Sequence, residues 1–307
     1  MSLESYLDEL TQEDVPLKYG DLEQLSSLAS DEVDIVQSIW HKMSPERRLD
    51  LISRLVETGE ENVDMDFTSI FKFALMDEAD GVRTKAVLGL WECEDRPLIT
   101  KFIKLMKEDP STEVQTAAAQ ALGKFAALAE DGKLLTLDRS RIQDVLLPLV
   151  KNENCPLSLR RRALESIGVF STEEITQVID WAYTHPEAEM QQSAIFAMGK
   201  NADPQWTEII REALDRAEPS MRYEAALACG ELGEEAMIPD LLPLLKDEDI
   251  QVRLSSINAL GLIGGSMAKK ALTACLQSED VVVSQTAEEA LESLEYNGDL
   301  LNFTHHS

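Results

Sequence analysis

A ten-residue pattern returns through this chain at nearly constant spacing. Versions of it begin at Val82, Val114, Leu159, Met190, Met221, Val252 and Val283, in steps of 32, 45, 31, 31, 31 and 31 residues. One unit of this length cannot bury an apolar face by itself, so its copies have to stack on one another. The period therefore predicts an array of repeated units rather than a single round core.

Each unit reads as two helices. In the first, Ile175, Val178, Ile179 and Ala182, and again Trp206, Ile209, Ile210 and Ala213, follow i, i+3, i+4, i+7 spacing, which is one face of an α-helix. The second carries the pattern, with apolar residues at offsets 0, 4, 7 and 8, as in Met221, Ala225, Ala228 and Cys229. Small residues at offsets 4 and 7 let helices approach closely. Glycine at offset 9 (Gly123, Gly168, Gly199, Gly230, Gly261) fits either a close crossing or a left-handed helix C-cap. Ser171 to Glu174 has capping-box spacing, and Ser44-Pro45 and Asp203-Pro204 place an N-cap before a first-turn proline. No strand-type alternation persists, so the fold class is all-α: an α-α superhelix of stacked helix pairs.

An acid in the turn followed by a "VRxxAxxALG" helix resembles the HEAT repeat, in the short form of phycobilisome-lyase-like proteins. The resemblance covers about residues 67–295 and implies a right-handed HEAT-repeat solenoid. It also implies a structural ladder in which the arginine at offset 1 pairs with turn acids and ties one repeat to the next. Arg83, Arg160, Arg222 and Arg253 hold the arginine place, and Asp77, Asp109 and Asp247 the acid place, five residues before a pattern start. Gln115, Gln191 and Ser284 replace the arginine elsewhere, and Asn154, His185 and Arg216 the acid, so gaps are expected.

Residues 1–66 fit the period poorly and are expected to form a divergent N-terminal helical segment or capping repeat, its first thirty residues a capping helix or a mobile arm. The 45-residue step places an insertion at about 124–142. Ser284, Glu288, Glu289 and Glu292 make the last pattern helix polar, as a terminal repeat should be, and a C-terminal tail, 296–307, lacks the pattern.

With 57 acids against 28 Lys and Arg, the formal charge is −29, which repels phosphate backbones. No nucleic acid and no membrane partner is expected; a basic protein or peptide would be drawn in. The four cysteines form no CxxC pair, the start "MSLESYLDEL" has no signal-peptide pattern, and no uncharged run is long enough to span a bilayer. These features read as a cytoplasmic protein. No catalytic constellation emerges: there is no HExxH, no phosphate-cradling glycine loop and no GxSxG elbow. The repeated His-Glu pairs of HEAT-like di-iron hydroxylases are missing from the sequence. His305 and His306 are a weak metal signal, and His185 is expected to face solvent. No cofactor and no metal site are expected.

What remains is a surface. In HEAT repeats the second helix of each unit lines the concave face. Its offsets 2 and 6 give Arg161, Gln192, Tyr223 and Leu254, and Glu165, Phe196, Leu227 and Asn258. Phe196, Tyr223, Leu227 and Leu254 would form a partly aromatic stripe, either an interface or inter-repeat packing, while Trp91 and Trp206 are assigned to the core. The reading is a non-catalytic scaffold or adaptor that binds a protein or peptide. The alternative, implied by the resemblance alone, is a phycobilisome-type bilin lyase or chaperone-like protein.

Overall fold

The computed structural model describes residues 3–304, and His305 and His306 lie outside them. Among the described residues there are helices and turns and no strand. The helices are α1 (Leu3–Leu10), α2 (Ser30–Trp40), α3 (Pro45–Glu61), α4 (Thr68–Ala74), α5 (Asp80–Gly89), α6 (Pro97–Glu108), α7 (Thr112–Glu130), α8 (Thr136–Val150) and α9 (Leu157–Ile167). They continue as α10 (Glu173–Tyr183), α11 (Ala188–Asn201), α12 (Thr207–Ala213), α13 (Pro219–Leu232), α14 (Ile238–Leu241), α15 (Ile250–Ile263), α16 (Gly265–Cys275) and α17 (Val281–Thr304). The fold is an α-solenoid of stacked helix pairs.

The chain divides into two compact units, 1–166 and 167–307. Repeat spacing does not mark this division, because the regular step from Leu159 to Met190 spans it. In the first unit the second helices α3, α5 and α7 pack in sequence order. The first helices α4 and α6 cover α5 and α7 respectively. In the second unit α11, α13, α15 and α17 form the corresponding row, covered by α10, α12, α14 and α16. Offsets 0, 4, 7 and 8 form the core: Met221, Ala225, Ala228 and Cys229 are all buried, as are Val252, Ser256, Ala259 and Leu260, while Gly89 and Ala121 at offset 7 in the first unit are half-buried.

The offset-9 glycines resolve into one of their two expected roles. A Cβ built on Gly199 would lie 2.8 Å from Ala228 Cα, and one on Gly168 2.9 Å from Ala197 Cα. In each case offset 9 of one repeat meets offset 7 of the next. Glycine here permits close crossing within a helix. The left-handed C-caps are elsewhere, at Ala202 after α11 (φ 52°) and Gly233 after α13 (φ 68°).

Two of the three capping expectations hold. Ser44 accepts from the Arg47 N–H and Asp203 from the Gln205 N–H. The N-cap of α10 is Thr172, accepting from the Ile175 N–H, not Ser171; N3 is then Ile175, which has no carboxylate to reach back, so the expected capping box does not form. The 45-residue step is taken up by lengthening α7 to 19 residues and by the 15-residue α8.

At the N-terminus, Tyr6, Leu7, Leu10, Leu22 and Leu25 are buried. Arg47 Nε donates to the Leu10 carbonyl, and Glu13 accepts from the Ser44 amide and hydroxyl. These contacts hold α1 and the turn after it against the start of α3.

The arginines tie successive turns together. Arg83 reaches both carboxylate oxygens of Asp109 at 2.8 Å and donates to the Asp77 and Glu78 carbonyls. Arg222 does the same to Asp247 at 2.7 and 2.8 Å, and to the Arg216 and Ala217 carbonyls. Arg253 Nη1 takes the Asp247 carbonyl and Nη2 reaches Asp280, while Arg160 Nε takes the Val150 carbonyl. Each arginine of an ion pair therefore uses the turn acid of the following repeat. Asp77 pairs with Arg48, whose Nη2 donates at 3.1 Å, and also accepts from Trp40 Nε1.

Arg48 is a rung that the pattern did not reveal. The substitutes do half the work: Gln115 and Gln191 donate to the carbonyls of Asp109 and His185, six residues back, as Arg83 does to Asp77. The turn acids also accept from the amide two residues on, as in Asp109 to Ser111 and Asp247 to Asp249. The Nδ1 of His185 accepts from Glu187 in the same way. His185 is thus a turn residue with a 10% exposed side chain, edge-on to Trp181, and not the solvent-facing histidine expected.

Candidate functional site

The second-helix rows present the residues expected to bind a partner. In the second unit α11 carries Gln192 and Phe196, α13 carries Tyr223 and Leu227, and α15 carries Leu254 and Asn258. All are partly exposed except Asn258, which is exposed. They are neither fully buried nor, Asn258 apart, fully open to solvent. Gln192 Nε2 bridges to Glu224 on α13 at 3.1 Å, Lys200 Nζ sits 5.8 Å from the Phe196 ring centre, and Lys200 pairs with Glu231 at 2.6 Å. The stripe is thus apolar along its middle and edged by charge pairs between neighbouring repeats. Arg161 and Glu165, on α9, are partly exposed too, and Glu165 forms an ion pair with Arg162.

The first unit holds a feature that the offsets did not single out. Leu88, Leu90 and Trp91 at the end of α5 and Ala117, Gln120, Ala121, Lys124 and Phe125 of α7 line a hollow of about 370 Å³. Trp91 is 58% exposed, so its assignment to the core is corrected. The cause is local: α5 ends at Gly89, and Trp91 follows in a turn that carries its ring off the packed face. Leu88, at offset 6 of its repeat, is 38% exposed beside it. An exposed indole over an apolar floor, with the Lys124–Glu94 pair at its edge, is the composition of an interface anchor. Trp206, in contrast, is buried, and its Nε1 donates to Asn201.

Among the described residues no three His, Cys, Asp or Glu side chains are grouped to hold a metal ion. The Cys229 thiol is pushed up to about 12 by burial, which leaves it unreactive at neutral pH. No helix among the described residues is long and apolar enough to cross a membrane.

The comparisons with known proteins agree with this geometry. Residues 98–129 match the HEAT repeat, and residues 175–247 and 207–292 match HEAT repeats in a second family description. These segments carry HEAT repeats. No curated protein sequence matches it.

Among solved structures, the complex of CpcE and CpcF of phycocyanin lyase from Nostoc sp. PCC7120 is similar at 18% identity. The match covers 92% of this chain and 97% of that one, with a TM-score of 0.55. Human deoxyhypusine hydroxylase matches at 16% identity over 87% of this chain and 96% of its own, with a TM-score of 0.38. An engineered protein matches at 23% identity over 64% and 96%, with a TM-score of 0.40. The first likeness shows a shared repeat fold and no more.

Proposed function

We propose that this protein is a non-catalytic scaffold or adaptor that grips a protein or peptide along its second-helix rows. The observation that carries the reading is Trp91, an indole more than half exposed over an apolar hollow, whereas Trp40 and Trp206 are buried. Leu88 and Trp91 are the anchors in the first unit. Phe196, Tyr223, Leu227 and Leu254 serve in the second, with Arg161, Glu165, Gln192 and Asn258 as polar contacts. Few residues carry most of an interface's energy, and aromatic side chains in desolvated hollows are prominent among them. The −29 charge favours a basic partner by raising its encounter rate.

The test is affinity capture from native lysate by wild type, Leu88→Ala/Trp91→Ala and Phe196→Ala/Tyr223→Ala, read by mass spectrometry. A protein held by wild type and lost by either double variant, with circular dichroism unchanged, supports the reading. Equal capture by all three moves binding off these faces.

A second reading, handling of a bilin, is favoured by the overlap with CpcE and CpcF. A shift in the bilin's visible spectrum on mixing with this protein would support it, and an unchanged spectrum would leave the scaffold alone.

A further inference from the structure

Acids outnumber Lys and Arg two to one in this chain, so most surface lysines should have a carboxylate at hand. The stretch from Arg96 to Lys107 departs from that: it holds four cations and no acid. Lys101, Lys104 and Lys107 stand on α6 at i, i+3, i+6, all exposed. Their ammonium groups have no carboxylate within 4 Å among the described residues.

Beneath them runs a furrow on the face made by the first helices of the first unit. One hollow of about 490 Å³ is lined by Trp40, Phe73 and Met76 together with Lys72 and Lys101. A second, of about 320 Å³, is lined by Leu75, Met76, Leu105 and Pro110 together with Lys101 and Lys104. Met76, Asp77 and Lys101 line both, so the two hollows adjoin. Met76 is 75% exposed at their junction.

The acids of the furrow are largely committed. Asp77 is bound by Arg48 and Trp40, and Asp109 by Arg83 at both oxygens. Lys72 is engaged by Asp95. Lys101 and Lys104 are left facing an apolar groove with only Glu108 to offset them.

We propose that this furrow is a second docking site, distinct from the second-helix rows, and that its occupant is an acidic peptide segment carrying a large apolar side chain. The apolar residue would lie on Met76, Phe73 and Leu105, and its flanking carboxylates would meet Lys101, Lys104 and Lys107. Met suits such a floor, because its flexible, polarisable side chain adapts to varied shapes. Hollows of this size take one or two side chains each. The occupant is a peptide and not an anionic membrane or nucleic acid, because an extended phosphate surface would also face the chain's −29 charge. A short peptide meets the local lysines within about one Debye length, ~8 Å at physiological salt, and escapes most of that repulsion.

The test pans a displayed library of random dodecapeptides on wild type and on Lys101→Glu/Lys104→Glu. The winning peptide is then synthesised with a fluorescein label and titrated by anisotropy. The proposal expects peptides enriched on wild type alone, rich in Asp and Glu around a Leu, Phe or Met. It expects Kd to rise at least tenfold for Lys101→Gln/Lys104→Gln, to rise severalfold for Met76→Ala, and to rise with salt. The Gln variant keeps the test valid if charge reversal impairs folding. The proposal is overturned if no peptide distinguishes wild type from the Glu variant, if the winners are basic or uncharged, or if phosphatidylserine vesicles or single-stranded RNA bind the lysines and the peptides do not.

Discussion

The closeness of the second-helix rows makes Gly199 a sensitive probe of the stack. An alanine Cβ there would stand 2.8 Å from Ala228 Cα and 2.9 Å from its Cβ, where ordinary contact begins at 3.4 Å. The near neighbour is backbone, so no side chain can rotate away, and α11 and α13 must part by about half an ångström. A gap of that size forfeits a quarter or more of each contact's attraction along the row. Overpacking of this kind costs about 1–3 kcal/mol, and alanine returns about 1 kcal/mol of helix propensity over glycine.

The expected net is a loss of up to about 2 kcal/mol. It would be read from urea unfolding followed by far-UV circular dichroism. Gly59→Ala is the control: it lies inside α3 with only Phe67 Cδ2, at 3.8 Å, in reach. That change should stabilise by up to about 1 kcal/mol. Ala228→Gly leaves the Ala228 Cα in place and itself costs about 1 kcal/mol of helix propensity, so the double variant should not regain wild-type stability, but a double-mutant cycle should show the two sites coupled. If Gly199→Ala stabilises as much as Gly59→Ala, the close-crossing account of offset 9 is wrong.

Three other outcomes are expected. Arg222→Ala leaves the Asp247 carboxylate enclosed without its partner and should cost about 3 kcal/mol. The Arg222 guanidinium holds Asp247 below the usual carboxylate range, so this pair's stabilisation is complete above about pH 4 and fades as pH falls through the folded-state value. Asp247→Asn should therefore flatten the acid limb of a stability–pH curve, and an unchanged limb would count against the ladder. Ala202→Gly, at φ 52°, should raise stability by about 1 kcal/mol, and Gly233→Ala, at the equivalent cap 31 residues on, should lower it by a similar amount; opposite signs in chemical unfolding would contradict the cap assignment. Cys229 should resist Ellman's reagent at pH 8 in the native protein and react only after unfolding.

Period and offset were legible in the sequence because they follow from burial. A residue at offset 0, 4, 7 or 8 has nowhere else to point once the helices stack. The ladder was legible in outline for the same reason, since an arginine beside a turn of free carbonyls has obvious partners. Arg48 escaped because "ERRLDLISRLV" carries arginine, not an aliphatic residue, at offset 0, and the preceding segment breaks the period. Gln115 and Gln191 looked like gaps, yet an amide donor is enough to reach the carbonyl six residues back.

Trp91 was misplaced because hydrophobicity says nothing about where a helix stops. Two residues past the end of α5, the same side chain that would be core becomes surface. The lysine furrow lay hidden because its halves come from α4 and α6, and only their packing shows that the acids between them are already bound.

The central claim is that the second-helix rows carry the partner. Hydrogen–deuterium exchange on the complex with a captured protein tests it most directly. The account predicts added protection over Leu88–Trp91 and α7 in the first unit, or over α11, α13 and α15 in the second, with α10 and α12 unchanged. Protection confined to the first helices would contradict it.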